Sequence, residues 1–227
     1  MDSQMVNTDL WLVVHVPKTA GTSLRISLDK YFGKSRVVRD YGPNARETSK
    51  VVRKFIYTDE GTDGREKLVE AMREGPAKVL VGHFPLKKYA RFFDPGNVIA
   101  FVRDPLIRTC SEYVHRVDNR TFEGTVQEFF RKPDFRNQQS FMLEGLTSRA
   151  FIGLTERYAE SLERLNAMHH WNLPVRKRNV GRNGGGRTLA GSLPAQDLEL
   201  FNKMNRNDLE FYRAAKRRFE AFEMLEV

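Results

Sequence analysis

Residues 10–25 read Leu-Trp-Leu-Val-Val-His-Val-Pro-Lys-Thr-Ala-Gly-Thr-Ser-Leu-Arg, and this stretch decides the fold. Residues 10–16 form an apolar run with three valines and one tryptophan, which predicts a strand buried on both faces, as in the middle of a parallel sheet. Pro17 ends the strand because proline has no N–H to give to a ladder. Small and hydroxyl residues follow, and apolar residues recur at helical spacing from Leu24. The stretch therefore predicts a strand, a tight loop and the N-terminus of a helix.

The tight loop has the composition of a phosphate cradle. A helix N-terminus offers unpaired N–H groups and partial positive charge. Gly21 allows close backbone approach to a ligand, and Lys18 adds a full positive charge. The order differs from a Walker A loop, where glycine precedes the lysine. An ordinary strand–turn–helix with a solvated lysine is the alternative. The candidate anion-binding residues are Lys18, Thr19, Ala20, Gly21, Thr22 and Ser23.

Composition limits the class of protein. The chain has 227 residues, of which 40% are hydrophobic and 30% charged, as expected for one globular domain. It contains no apolar run of the roughly 18–20 residues that cross a bilayer, and residues 1–8 are predicted to be disordered. A single cysteine excludes an intrachain disulfide and favours a reducing, cytoplasmic setting. The net charge of +9 indicates affinity for polyanions, among them nucleic acid, sulfated glycans and multiply charged nucleotides.

Two later strands also end in polar residues. Residues 78–85 read Lys-Val-Leu-Val-Gly-His-Phe-Pro, which predicts a short buried strand followed by His83. Residues 97–104 read Asn-Val-Ile-Ala-Phe-Val-Arg-Asp, a strand followed by Arg103, and Pro105 then opens a helix. Ligands of open parallel sheets bind just beyond the carboxyl ends of strands. We therefore expect this histidine, this arginine and the loop lysine to face one crevice.

Each of these side chains also has a simpler interpretation. His83 suits a general base because its unperturbed pKa lies near neutrality, but a lone histidine is more often structural. Arg103 offers a planar fork matched to phosphate oxygens, yet it could pair with Asp104 or another carboxylate instead. Ser111 could add a hydroxyl from the following helix or be a neutral helix position. Three such motifs, in order on three successive buried strands, favour the functional interpretation.

Together the motifs resemble the superfamily of sulfotransferases that use 3′-phosphoadenosine 5′-phosphosulfate (PAPS). The form Pro-Lys-Thr-Ala-Gly-Thr-Ser is most similar to the branch of heparan sulfate 2-O-sulfotransferases and small bacterial sulfotransferases. Residues 135–145 also resemble a segment of the bacterial proteins, with Phe141 where they have arginine. The resemblance implies a three-layer α/β/α fold with a central parallel sheet and a P-loop-like PAPS site. It further implies that His83 is the base, that Lys18 stabilises the leaving group, and that Arg103 and Ser111 hold the 3′-phosphate.

A basic, glycine-rich stretch lies late in the chain. Residues 175–187 read Val-Arg-Lys-Arg-Asn-Val-Gly-Arg-Asn-Gly-Gly-Gly-Arg, and we expect a flexible loop over residues 175–191. The resemblance implies a flap over the nucleotide, with Arg176, Lys177 and Asn179 as candidate contacts. A solvated basic loop without a ligand is the alternative.

The sequence thus predicts a single-domain enzyme that moves a sulfuryl group from PAPS to a hydroxyl of a glycan or small molecule, releasing 3′-phosphoadenosine 5′-phosphate (PAP). We expect no metal, no nucleic-acid partner and no membrane span, and the oligomeric state is left open. One rival is a P-loop-type kinase of a small hydroxyl substrate, which magnesium-dependent nucleotide binding would favour. The other is a non-catalytic polyanion-binding module, which would bind in a salt-sensitive way without responding to PAP.

Overall fold

The computed structural model describes residues 10–58, 64–175 and 185–223, and it is built on a five-stranded sheet. Every strand pair is parallel, and the order across the sheet is β2-β3-β1-β4-β5. The strands are β1 (Trp11–Val14), β2 (Val37–Asp40), β3 (Val79–Gly82), β4 (Val98–Val102) and β5 (Phe151–Leu154). The first strand of the chain is therefore the central one, and the carboxyl ends of its two neighbours flank the loop that follows it.

Ten α-helices fall within the described ranges, and none of these is long and apolar enough to cross a membrane. They are α1 (Gly21–Phe32), α2 (Lys50–Ile56), α3 (Gly64–Glu74), α4 (Pro105–Asp118), α5 (Val126–Arg131), α6 (Gln138–Met142), α7 (Tyr158–His169), α8 (Gly185–Ser192), α9 (Ala195–Met204) and α10 (Arg206–Glu223). The strand, loop and helix predicted over residues 10–25 are confirmed. Pro105 opens α4 as predicted, and the Asp104 carboxylate caps it by accepting the N–H of Ile107 at 3.0 Å.

Helices cover both faces of the sheet, because alternate residues of each strand point to opposite sides. Leu12 and Val14 of β1 pack into a core shared with α2, α3, α6 and α10. Val13 points the other way, into a core shared with α1 and α7. A smaller apolar cluster around Cys110 and Phe129 joins α4 to α5 and α9. This arrangement confirms the predicted three-layer α/β/α class with a central parallel sheet.

The end of the predicted flexible loop is a helix. The loop prediction over residues 175–191 is wrong from Gly185 onward, where α8 begins and packs on α4. Glycine disfavours helices, but here the missing side chain allows tight packing. A Cβ on Gly186 would lie 2.2 Å from the Oγ of Ser111, so only glycine fits against α4 at this point. Arg176, Lys177 and Asn179 lie outside the described residues.

Candidate active site

The loop after β1 has a backbone shaped to bind an anion. Lys18 and Ala20 both adopt the left-handed conformation, with φ of 68° and 63°. Such φ values are disfavoured for residues with a side chain and cluster at functional sites. Alternation of φ sign along a short segment is also the pattern of anion-binding nests, where successive N–H groups converge. Ala20 is the N-cap of α1 and has no side-chain oxygen to cap it, so the helix N-terminus is left for a ligand.

The remaining loop residues divide between shaping the loop and facing its concavity. The hydroxyl of Thr19 donates to the carbonyl of Val16 at 2.8 Å and is buried, so its side chain braces the turn. Ser23 is buried in the first turn of α1, and its N–H donates to the Ala20 carbonyl at 2.9 Å. The N–H groups of the first two helical residues, Gly21 and Thr22, have no partner within their own helix. These two N–H groups and the lysine charge form the anion-facing part of the cradle.

Arg103 connects the cradle to α4. Its Nη1 donates to the backbone carbonyl of Lys18 at 3.2 Å and to the Oγ of Ser111 at 3.1 Å. The structure therefore brings three of the predicted residues into one hydrogen-bonded group, although they are far apart in the chain. Among the described residues, neither an ion pair nor a hydrogen bond links the Arg103 guanidinium to Asp104. The Asp104 carboxylate instead caps α4.

The backbone of Arg103 is fixed by a buried amide. Gln139, on α6, accepts the N–H of Arg103 at 2.8 Å and donates to its carbonyl at 2.9 Å. Gln139 is fully buried, and Asp208 of α10 accepts its N–H at 3.2 Å and that of Ser140 at 2.8 Å. The Glu156 carboxylate accepts the N–H of the next residue, Asp104, at 2.9 Å. The turn after β4 is thus held from two directions.

Positive charge accumulates around this group. Burial is the main cause that lowers the pKa of Lys18, and Arg103 and Arg108 lower it further, against the opposing charge of Glu112. Burial also lowers the pKa of Arg103, and so does Arg187 of α8, a residue that sequence reasoning did not assign to the site. Arg187 follows the glycine packed on Ser111, and it has no hydrogen bond or ion pair with another described residue. Like charges gathered in this way favour an anion between them.

His83 follows β3, on the opposite side of β1 from Arg103. Its ring is exposed to solvent but recessed among neighbouring groups, and this desolvation lowers its pKa to about 4, against the charges of Glu112 and Glu47. The imidazole is therefore neutral at physiological pH, the state that a general base requires. Two aromatic side chains contact the ring, His15 at a centroid distance of 4.3 Å and Tyr41 at 4.7 Å.

Sequence reasoning missed His15, Tyr41 and Arg187. His15 lies within the apolar run of residues 10–16, and Tyr41 stands directly before Gly42 and Pro43 in a stretch without a clear strand or helix pattern. The structure brings both residues to His83 through the register of the sheet. Val14 and Asp40 both stand opposite Gly82, so the residue after each of them aligns with His83. Arg187 was hidden because a run of glycines reads as a loop.

Comparisons with known proteins complete the description of the site. No family model matches the chain, and no curated protein matches it. Among solved structures, the chain is similar to that of a sulfotransferase from Alicyclobacillus acidocaldarius, with 16% sequence identity and a TM-score of 0.42, over 90% of this chain and 98% of that chain.

Proposed function

We propose that this protein is a sulfotransferase that moves a sulfuryl group from PAPS to an acceptor hydroxyl. The observation that carries the proposal is the pair of anion sites joined by Arg103. One site is the cradle at Lys18 and Gly21, and the other is formed by Arg103 and Ser111 beneath α8. PAPS carries negative charge at both its 5′ and its 3′ positions, and two linked cationic sites match that distribution.

The residues present fit the two charged ends of such a donor. A Cβ at residue 21 would fall 1.8 Å from the ring of His15, so the cradle is built around a glycine whose backbone a phosphate can approach. At the second site, Arg103 supplies a fork for phosphate oxygens and Ser111 a hydroxyl. Arg187, with no partner among the described residues, is positioned on α8 to add a second guanidinium there.

The donor, when bound, supplies an activated sulfuryl group on a phosphate leaving group. His83 takes the proton of the acceptor hydroxyl as the oxygen attacks sulfur and the bond from sulfur to the phosphate oxygen breaks. Lys18 and the N–H groups of Gly21 and Thr22 stabilise the charge that grows on the departing oxygen, as fixed donors do in electrostatic catalysis. Thr22 and Ser23 complete the grip on the 5′-phosphate in this proposal, while Thr19 and Ala20 shape the loop.

Two finer features belong to the same proposal. The acceptor is a hydroxyl of a glycan or small molecule, and the net charge of +9 favours an anionic one. A reducing, cytoplasmic setting is proposed because the only cysteine, Cys110, is a free buried thiol. Within the described ranges no cluster of three His, Cys, Asp or Glu side chains is placed to hold a metal ion, and every step above uses protein groups only.

The test begins with nucleotide selectivity. We expect PAP to raise the thermal midpoint of unfolding, by the amount that its affinity dictates, well above any rise with ADP or ATP at the same concentration. Transfer of radiolabelled sulfuryl from PAPS should then be followed across a panel of glycan, phenolic and alcohol acceptors. Arg103→Ala should abolish the preference for PAP over ADP, because the preference depends on the 3′-phosphate.

Two results would contradict the proposal. Stabilisation by ATP that requires magnesium and exceeds that by PAP would indicate a kinase instead. Binding to heparin or nucleic acid that falls steeply with salt, together with no response to PAP, would indicate a polyanion-binding module. Lys30→Ala, at an exposed position of α1, is the control for loss of a single surface charge.

A further inference from the structure

His15, Tyr41 and His83 stand side by side across three strands. The parallel register places Val14 opposite Gly82 and Asp40 opposite Gly82, and the next residue of each strand continues this row. Backbone hydrogen bonds extend the pairing, since the N–H of His15 donates to the Gly82 carbonyl at 2.9 Å and the N–H of His83 to the Asp40 carbonyl at 3.0 Å. Because directly opposed residues of parallel strands point to the same face, the three rings meet above the sheet.

The rings of His15 and Tyr41 both pack against the ring of His83, which follows the middle strand of the three. Tyr41 OH and His15 Nδ1 lie 3.1 Å apart, within hydrogen-bond distance, and both rings meet that of His83 edge to face. Aromatic pairs in this geometry add attraction beyond their buried area. The neighbours thus define the orientation of the candidate base, although its own ring is open to solvent on one side.

His15 also touches the cradle. The residue is 9% exposed, and its ring occupies the space where a side chain on Gly21 would lie, with Cδ2 1.8 Å and Nε2 1.9 Å from an ideal Cβ at that residue. The same imidazole therefore contacts the first residue of α1 on one side and the ring of His83 on the other.

We propose that His15, held by Tyr41, is a positioning residue that sets the distance and orientation of His83 relative to the anion cradle. This inference rests on the proposed function in one respect, namely that the step His15 assists is removal of the acceptor proton by His83. Reactions that depend on near-attack geometry lose rate on the order of 10²-fold for misplacements of about 1 Å. A rigid ring wedged between the base and the cradle supplies that control.

Burial keeps both histidines neutral at physiological pH. Burial lowers the pKa of His15 well below 6.5, and the charges of His83, Arg25 and Lys18 lower it further. Burial raises the pKa of Tyr41 to about 12, so its hydroxyl keeps its proton at physiological pH. The pair next to His83 is therefore a neutral hydrogen-bonded unit, suited to holding the ring of His83 in place.

Two substitutions test the proposal. His15→Ala removes the wedge, and Tyr41→Phe removes one oxygen while keeping the ring. With His15→Ala we expect kcat to fall on the order of 10²-fold. The Kd for PAP should change by no more than about threefold. With Tyr41→Phe we expect kcat to fall about three- to tenfold, as for one lost hydrogen bond. His115→Ala, an exposed histidine on α4, is the matched control.

A spectroscopic measurement separates this proposal from the proposed function. In protein labelled with 13C-histidine, the Cε1–Hε1 signal of His83 should titrate near 4 in the parent chain and closer to 6.5 with His15→Ala, because the wedge no longer shields the ring. Failure of the parent to bind PAP or transfer sulfuryl would overturn only the proposed function. An unchanged His83 titration and unchanged kcat in a folded His15→Ala chain would overturn the positioning role. If that variant does not fold, Tyr41→Phe decides by the same two readings.

Discussion

Gly186→Ala should detach α8 from the second anion site. The added Cβ would lie 2.5 Å from the Cα and 2.6 Å from the backbone N of Ser111, and backbone atoms cannot rotate away. Contact becomes ordinary at 3.4 Å, so α8 and α4 must separate locally by about 0.9 Å, the difference between 3.4 and 2.5. Overpacking of this kind costs about 1–3 kcal/mol, of which the better helix propensity of alanine offsets at most about 1 kcal/mol.

The assay combines thermal unfolding with titration of PAP. With that offset the net loss is at most about 2 kcal/mol, which lowers the midpoint of unfolding by up to roughly 8 °C in a chain of this length. Displacement of Arg187, the next residue on α8, from the neighbourhood of Arg103 should weaken PAP binding about tenfold or more, the magnitude of one hydrogen bond to a charged group.

Gly191→Ala on the same helix is the matched control, because a Cβ there meets nothing within 4 Å. It should leave PAP affinity unchanged and raise the unfolding midpoint slightly. Equal effects of the two substitutions would refute the reasoning.

Three further predictions concern Lys18, Gln139 and His83. Lys18→Ala should lower kcat at least tenfold, an increase of about 1.4 kcal/mol in the barrier, while Lys30→Ala leaves it unchanged, as steady-state assays would show. Gln139→Leu should lower the free energy of unfolding, measured in urea, by about 2 kcal/mol or more, because the N–H and carbonyl of Arg103 lose buried partners. An unchanged free energy of unfolding would show that Gln139 does not hold the turn after β4. The acid limb of kcat/KM should lie near pH 4, not 6.5, because protonation of the base is suppressed in the folded chain, and a limb at 6.5 would argue against His83. The same depressed pKa means that the stability due to this group is complete above 6.5 and declines as the pH falls towards 4.

Much of the fold was readable because its signals are local. Runs of valine, leucine and isoleucine bounded by proline or glycine identified β1, β3 and β4, and Pro105 marked the start of α4. The general rule that ligands bind at the carboxyl ends of parallel strands then placed Lys18, His83 and Arg103 at one edge. The observed order, with β1 between β3 and β4, brings those strand ends side by side.

The rest depended on contacts between distant residues. Nothing near His15 in the chain shows that its ring fills the space above Gly21, because that contact arises only once strand and helix are packed. Thr19 matched a cradle residue by type, yet its hydroxyl is used to brace the turn. The glycines before Arg187 have low helix propensity, and tertiary packing on α4 overrides that preference.

The central position of β1 has a consequence for synthesis of the chain. Both of its partners come much later, since β3 begins at Val79 and β4 ends at Val102. A ribosome adding about 5–20 residues per second needs roughly 3–14 s to make the 68 residues that follow Val14 up to the end of β3 at Gly82. Throughout that interval the valine-rich segment is a nascent strand with nothing to pair with, a natural client for a chaperone.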